Sequence, residues 1–193
     1  MADDNPELDG LINTITGGND DERTKAWFNA GTVGAVAVRP LAGVISAQGG
    51  EAALAAKRAL WQIARHAARP GADAERQSVV VALAGLLNDG ALSPTARSEA
   101  LWILSEIGDD TAVEPVANLL GDESLREDAR MALERIPGDR SLAALKTTLD
   151  KAPDSFKPSI AQSLRQRGVD VPGVPSAKLI PTKKTAVQPK AKK

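Results

Sequence analysis

Apolar residues recur along this chain at a helical spacing, and one pattern is stated twice between residues 93 and 149. The second copy follows the first at an offset of 29 residues. The pairs that match at this offset are Arg97 and Arg126, Ala100 and Ala129, and Leu104 and Leu133. A fixed offset that preserves apolar residues at helical spacing indicates an internal repeat built from helices.

Two templates alternate along the chain as far as Gly168. The first places apolar residues at i, i+3, i+6 and i+7, so that they form one stripe of a helix. The second begins with a cation, followed by Ala at +3, Leu or Ala at +7 and an aliphatic residue at +10. Their alternation predicts an all-α fold of about five antiparallel helix pairs. The predicted pairs span roughly 7–31, 33–68, 73–108, 110–137 and 139–168.

The +7 position of the second template should lie in the core of each pair. The residues at this position are Ala30, Leu60, Leu104, Leu133 and Leu164. Their spacing is widest in the middle of the chain, which predicts longer loops near 69–73 and 88–94 and a long helix ending near Ala68. Ser93 followed by Pro94 is typical of a helix start, with a capping hydroxyl and then Pro at the first helical position.

The periodicity stops after Gly168, and the composition changes. We therefore expect one repeat domain over residues 1–170 and a Pro- and Lys-rich disordered tail over 171–193. The whole chain has a net charge of −1, but the tail carries six lysines and no acidic residue. The tail is thus +6 and the remaining chain is −7.

Composition argues against most catalytic and metal chemistry. The chain has no Cys, which excludes disulfides and thiol nucleophiles, and its only histidine, His66, cannot supply a multi-ligand metal site. The start of the chain lacks the basic and apolar regions of a secretory signal, and no run approaches the ~18 apolar residues that span a bilayer. We expect a cytoplasmic, non-enzymatic protein with no cofactor, no metal and no membrane segment.

The repeated residues resemble HEAT repeats, in particular the short bacterial kind related to phycobilisome lyases. The resemblance rests on Arg97, Ala100, Leu104 and Ile107 with the following Gly108, and on the apolar stripe that begins at Val113. It implies a right-handed α-solenoid whose second helices line the concave side. The recurrent cations Arg23, Arg97 and Arg126 would then be structural, bonding to acids or carbonyls of adjoining turns.

One row of residues is expected to face outward from the second helices. Two positions before each core residue stand Phe28, Arg58, Trp102, Met131 and Gln162. Carboxylates flank the centre of this row at Glu99, Glu106 and Asp128. Exposed apolar residues gathered on one face commonly mark an interaction site. The predicted partner-binding residues are Phe28, Arg58, Glu99, Trp102, Glu106, Asp128 and Met131.

These observations favour a non-catalytic scaffold or adaptor that binds a protein segment on its concave helical face. The partner would be another protein or peptide, or the chain's own C-terminal tail; nucleic acid is not expected, because the body is acidic. The resemblance also leaves open a lyase-type or chaperone-like subunit that acts on a tetrapyrrole-bearing protein. A spectral titration with a bilin distinguishes the two hypotheses.

Overall fold

The computed structural model describes residues 5–175, which contain ten α-helices and no β-strand. The helices form five consecutive antiparallel pairs, so the predicted all-α solenoid is confirmed. The pairs are α1 (Pro6–Gly17) with α2 (Asp20–Phe28), α3 (Val38–Ala47) with α4 (Gly50–Ala67), α5 (Asp73–Leu87) with α6 (Pro94–Ile107), α7 (Asp110–Ala117) with α8 (Arg126–Arg135), and α9 (Asp139–Lys151) with α10 (Lys157–Gln166). The right-handed superhelix stays a prediction.

The helices lie in two layers with the core between them. The first-helix layer contains α1, α3, α5, α7 and α9, and the second-helix layer contains α2, α4, α6, α8 and α10; each helix contacts the next one in its own layer. The predicted core residues at the +7 positions, from Ala30 to Leu164, are all at most 2% exposed. Small residues such as Ala56, Ala100 and Ala129 are also fully buried and let the helices approach closely.

Local signals set most helix boundaries as expected. The Asn19 side chain accepts from the Glu22 N–H while the Glu22 carboxylate accepts from the Asn19 N–H, a capping box that starts α2. The Ser93 hydroxyl caps α6 by accepting from the Ala96 N–H, with Pro94 at the first helical position. Helix α4 is long, as predicted, and connections of five and six residues lie on either side of α5 at 68–72 and 88–93.

Two 3-10 helices were not predicted from the sequence. One spans Ala30–Ala37 and leads into α3, and the other spans Asn118–Gly121 and follows α7. Within the first, Gly34 has φ 73° and ψ −155°, a conformation that strongly favours glycine and breaks the helical path. The second pair is therefore not a plain helical hairpin, because its chain bends before α3 begins.

The segment Ala30–Ala47 is more apolar than expected from the absence of a long apolar run in the sequence. It has a mean hydropathy of 1.4 over 18 residues, so by length and composition it could cross a membrane. The structure divides this segment at Gly34, and its residues Ala37, Val38, Leu41 and Ile45 lie in the protein core. Packing against other helices accounts for the apolar residues of its second half, whereas Val36 is exposed. That the protein has no membrane segment stays a prediction.

The described fold continues beyond the expected domain end at residue 170. Val171 is 7% exposed and belongs to the core, while Val169 and Val174 pack against it. The Arg165 guanidinium donates to the carbonyl oxygens of Val171, at 2.7 Å, and Val174. These contacts lie outside the helical period, because scattered valines give no such pattern, and the boundary at residue 170 stays a prediction. The predicted disorder of the tail concerns residues 176–193, which lie outside the described part of the chain.

We expect a chain ending at Gly168 to be less stable than one ending at Pro175 by about 1–2 kcal/mol. Its valine side chains at 169, 171 and 174 would be lost, and the apolar surface they cover would meet water. Urea unfolding of the two truncated chains measures the difference. Equal unfolding midpoints would show that residues 169–175 contribute no stabilising contact.

Candidate functional site

Four of the five aromatic residues of the chain lie in the second-helix layer. Trp27 and Phe28 end α2, Trp61 lies in α4, and Trp102 lies in α6. Phe28 is 64% exposed and Trp102 is 43% exposed, whereas Trp27 and Trp61 are partly buried. The outward row predicted Phe28 and Trp102 but missed Trp27 and Trp61. Arg65, four positions after Trp61, could have indicated the position of Trp61, because residues four apart are neighbours on a helix.

The junction between α2 and α4 is built around Trp27. The Arg58 guanidinium lies 5.5 Å from the centre of the Trp27 ring, and the Phe28 ring meets Trp27 edge-on at 5.9 Å. A cleft of about 260 Å³ opens beside this stack and is lined by Arg23, Trp27, Glu51 and Arg58, among others. A cation over an aromatic face is attracted by the ring quadrupole. This attraction restricts the conformations of the Arg58 side chain at the surface.

A second arginine–tryptophan stack lies at the junction between α4 and α6. The Trp61 Nε1–H donates to Glu99 Oε1 at 2.6 Å, and Lys57 Nζ lies 3.3 Å from Glu99 Oε2. These contacts fix the indole ring, and the Arg65 guanidinium lies 5.8 Å from its centre. Glu99 is therefore committed to joining two helices, and its side chain is only 16% exposed.

Polar contacts also join α6, α8 and α10. The Ser98 hydroxyl donates to Asp128 Oδ2 at 2.6 Å, and Arg135 forms an ion pair with Glu106. Across the next junction, the Ser163 hydroxyl donates to Glu134 at 2.6 Å. Met131 lies between these contacts and is half-buried.

The structure thus separates the predicted site residues into two groups. Phe28, Arg58 and Trp102 are exposed on the second-helix layer, and Met131 is half-buried there. The three carboxylates, in contrast, already have partners within the fold. Glu99, Glu106 and Asp128 accept from groups on neighbouring helices. Whether any of the seven contacts a partner stays a prediction.

Charge is distributed unevenly between the layers. The five second helices together hold eleven Lys or Arg and nine Asp or Glu, a net charge of +2. The acidic excess of the body therefore lies in the first helices, the turns and the start of the chain. The net charge of −7 for residues 1–170 therefore does not describe the second-helix layer, which is slightly positive.

The recurrent cations contact helix ends and turns, Arg23 within its own pair and Arg97 and Arg126 across to the next one. Arg23 Nε donates to the Ile15 carbonyl at 3.0 Å, and the Arg126 guanidinium lies 5.0 Å from the centre of the Phe156 ring. Arg97 lies 3.9 Å from Asp122. Hydrogen bonds from the Ser124 hydroxyl and N–H lower the pKa of Asp122, with a smaller contribution from Arg97. Such contacts hold helix ends and turns together and leave these cations little freedom to bind a ligand.

The described residues offer no ready metal site. Nowhere between residues 5 and 175 do three or more His, Asp or Glu side chains gather as a metal would require. His66 lies 3.7 Å from Glu75, which also pairs with Arg69 at 2.6 Å. The Arg69 hydrogen bond lowers the pKa of Glu75 and raises that of Arg69. This group joins the end of α4 to the start of α5.

Comparison with known proteins agrees with the two-layer fold. The family model described as HEAT repeats matches residues 81–165, which cover the end of α5, all of α6 to α9 and most of α10. No curated protein matches the chain. HEAT repeats generally serve as protein-interaction modules and are typically non-catalytic. Residues 81–165 are thus HEAT repeats, which is the family that the sequence pattern resembles.

Proposed function

We propose that this protein is a non-catalytic scaffold that binds a segment of another protein across its second-helix layer. The observation that carries this proposal is the exposure of Phe28 and Trp102 on the same layer, in a chain with only five aromatic residues. Large aromatic side chains contribute much of the free energy at protein interfaces, and exposing them without a partner is costly.

The geometry of the layer supports the proposal. Consecutive helices α2, α4, α6 and α8 lie side by side, and a polar or stacking contact fixes each junction. A surface held in this way is ordered before a partner arrives, so little conformational entropy is lost on binding. A segment lying across the helices could contact several repeats at once, which is how solenoid proteins provide extended binding surfaces.

A photo-crosslinking amino acid placed at position 28 or 102 should capture a partner from the native cell extract. Val36 and Val81 provide matched control positions, because they are 55% and 56% exposed but lie outside the second-helix layer. We expect the same crosslinked species from positions 28 and 102 and its absence from positions 36 and 81. Equal capture at all four positions would indicate non-specific adhesion and contradict the proposal.

The double variant Phe28→Ala with Trp102→Ala tests the same surface from the other direction. It should reduce recovery of that species by about tenfold or more, as expected when interface anchors are removed. Its melting temperature should stay within a few degrees of the parent, since neither side chain belongs to the buried core. Undiminished recovery would show that the partner binds elsewhere.

A further inference from the structure

We infer that the occupant of this surface is an acidic segment, bound by a stripe of α4 that comprises Leu54, Arg58, Trp61 and Arg65. This inference rests on the proposed function and names the chemistry of its partner. The four residues follow one another at intervals of four, three and four positions, so they lie on one side of the helix. Leu54 is 39% exposed, and both arginines are exposed.

The arginines of this stripe are uncompensated. Within residues 5–175, neither Arg58 nor Arg65 has a carboxylate within ion-pair distance, whereas Lys57 of the same helix pairs with Glu99. Arg65 makes only a 3.4 Å contact with Gln62 of its own helix. Lys25 of the neighbouring α2 is likewise exposed and without an ion-pair partner in the described chain. Asp20 and Glu51 line the cleft beside Arg58 without pairing with it, so α4 keeps an excess of positive charge, with three Lys or Arg against one acid.

Stacking prepares these arginines to bind carboxylates. A guanidinium attracted to the face of an indole ring donates no hydrogen bond to a carboxylate in doing so, so its N–H groups remain available as donors. Arginine binds carboxylates through two parallel hydrogen bonds, which adds geometric selectivity to charge attraction. Since Trp61 is fixed by Glu99 and Trp27 packs against Phe28, both stacking platforms are preformed.

The spacing of the two arginines indicates where the acids should stand. Arg58 and Arg65 are seven residues apart on α4, which corresponds to about 10 Å along the helix axis. A helical partner would match this with acidic residues seven positions apart, and a polyproline II segment would match it with acidic residues three positions apart, about 9 Å. Apolar side chains on the same segment could contact Leu54 and Phe28, both exposed.

The same charges argue against the chain's own tail as the occupant. Residues 176–193 carry six lysines and no acidic residue, and the second-helix layer is itself net positive. Like charges would oppose docking near α4. The body as a whole, at −7, should attract the tail, at +6. The acidic excess lies outside the second-helix layer, however, so this attraction would not bring the tail to α4.

The test uses two peptide pools of about 15 residues that share Leu and Phe anchors at helical spacing. One pool has Glu or Asp at the polar positions, including pairs seven residues apart, and the other has Lys or Arg there. A third probe is the peptide 176–193. Fluorescence anisotropy with the full chain, at about 50 mM and about 300 mM salt, gives the affinities. The acidic pool should bind more tightly than either basic probe and should weaken as salt rises.

Charge reversal identifies the residues responsible. Arg58→Glu with Arg65→Glu should weaken binding of the acidic pool by about tenfold or more, and Arg58→Gln with Arg65→Gln should weaken it less. Arg140→Glu, an exposed position of α9 in the other layer, should leave it unchanged. Tighter binding of either basic probe, or unchanged binding of the acidic pool to the Glu variant, would overturn the inference. The crosslinking experiment at positions 28 and 102 distinguishes the two proposals. If a partner is still captured there but the acidic pool is not preferred, the proposed function stands and only the acidic chemistry of the partner is refuted.

Discussion

Leu133→Ala should lower the free energy of unfolding by about 2–5 kcal/mol, as is typical when a buried leucine is truncated without collapse of the space it leaves. Leu133 is completely buried in α8, where this helix meets the core between the layers. Leu104→Ala should have a similar effect, because Leu104 is the equivalent residue of the preceding pair and is also fully buried. Urea denaturation followed by circular dichroism measures both.

Met131 provides the matched control for this experiment. It is two positions away on the same helix but only half-buried, on the outward side. Met131→Ala should therefore cost much less than Leu133→Ala, in the range of about 1 kcal/mol. If the two variants lost the same stability, the orientation of α8 would be wrong and the outward row with it.

Arg167→Ala should cost about 2–3 kcal/mol, an unusually large effect for a partly exposed arginine. Its guanidinium donates to the carbonyl oxygens of Leu133 and Ile136 at 3.0 Å and of Gly138 at 2.8 Å. The last carbonyls of a helix have no partner within it, and here Arg167, the residue after α10, supplies one to the end of α8. Losing a charged donor to several carbonyls at once is expensive.

Two further variants isolate the cause of this loss. Arg167→Met keeps most of the apolar stem but none of the donors, so it should lose nearly as much stability as Arg167→Ala. Arg140→Ala removes an exposed arginine from α9 and should change stability by less than about 0.5 kcal/mol. A stable Arg167→Met protein would assign the effect to packing of the side chain instead of its hydrogen bonds.

Periodicity predicted the fold because buried residues repeat at the spacing of the helix itself. Leu104 and Leu133 could be placed in the core from their offset alone, and the structure agrees. Arg167 could not be understood in this way, since it stands where an aliphatic residue was expected. Its donors reach carbonyls about 30 residues earlier in the chain, a contact that no local pattern encodes.

The candidate site was less predictable than the core because its contacts join residues that are distant in the sequence. The outward direction of Phe28 and Trp102 follows from helix geometry, but the partners of a charged side chain depend on the neighbouring helix. Glu99 was expected beside a binding groove and instead joins Trp61 and Lys57 across a junction. Net charge misled as well, because a total over the body conceals the difference between the layers.

The valines after α10 have a consequence for assembly. A repeat array ends in apolar surface that a further repeat would cover, and two copies with exposed ends could stack head to tail into an open filament. Here Val171 lies in the core and Val169 and Val174 pack against it, so the chain itself covers this end. These valines therefore occupy apolar surface beside α10 that a second copy would otherwise contact.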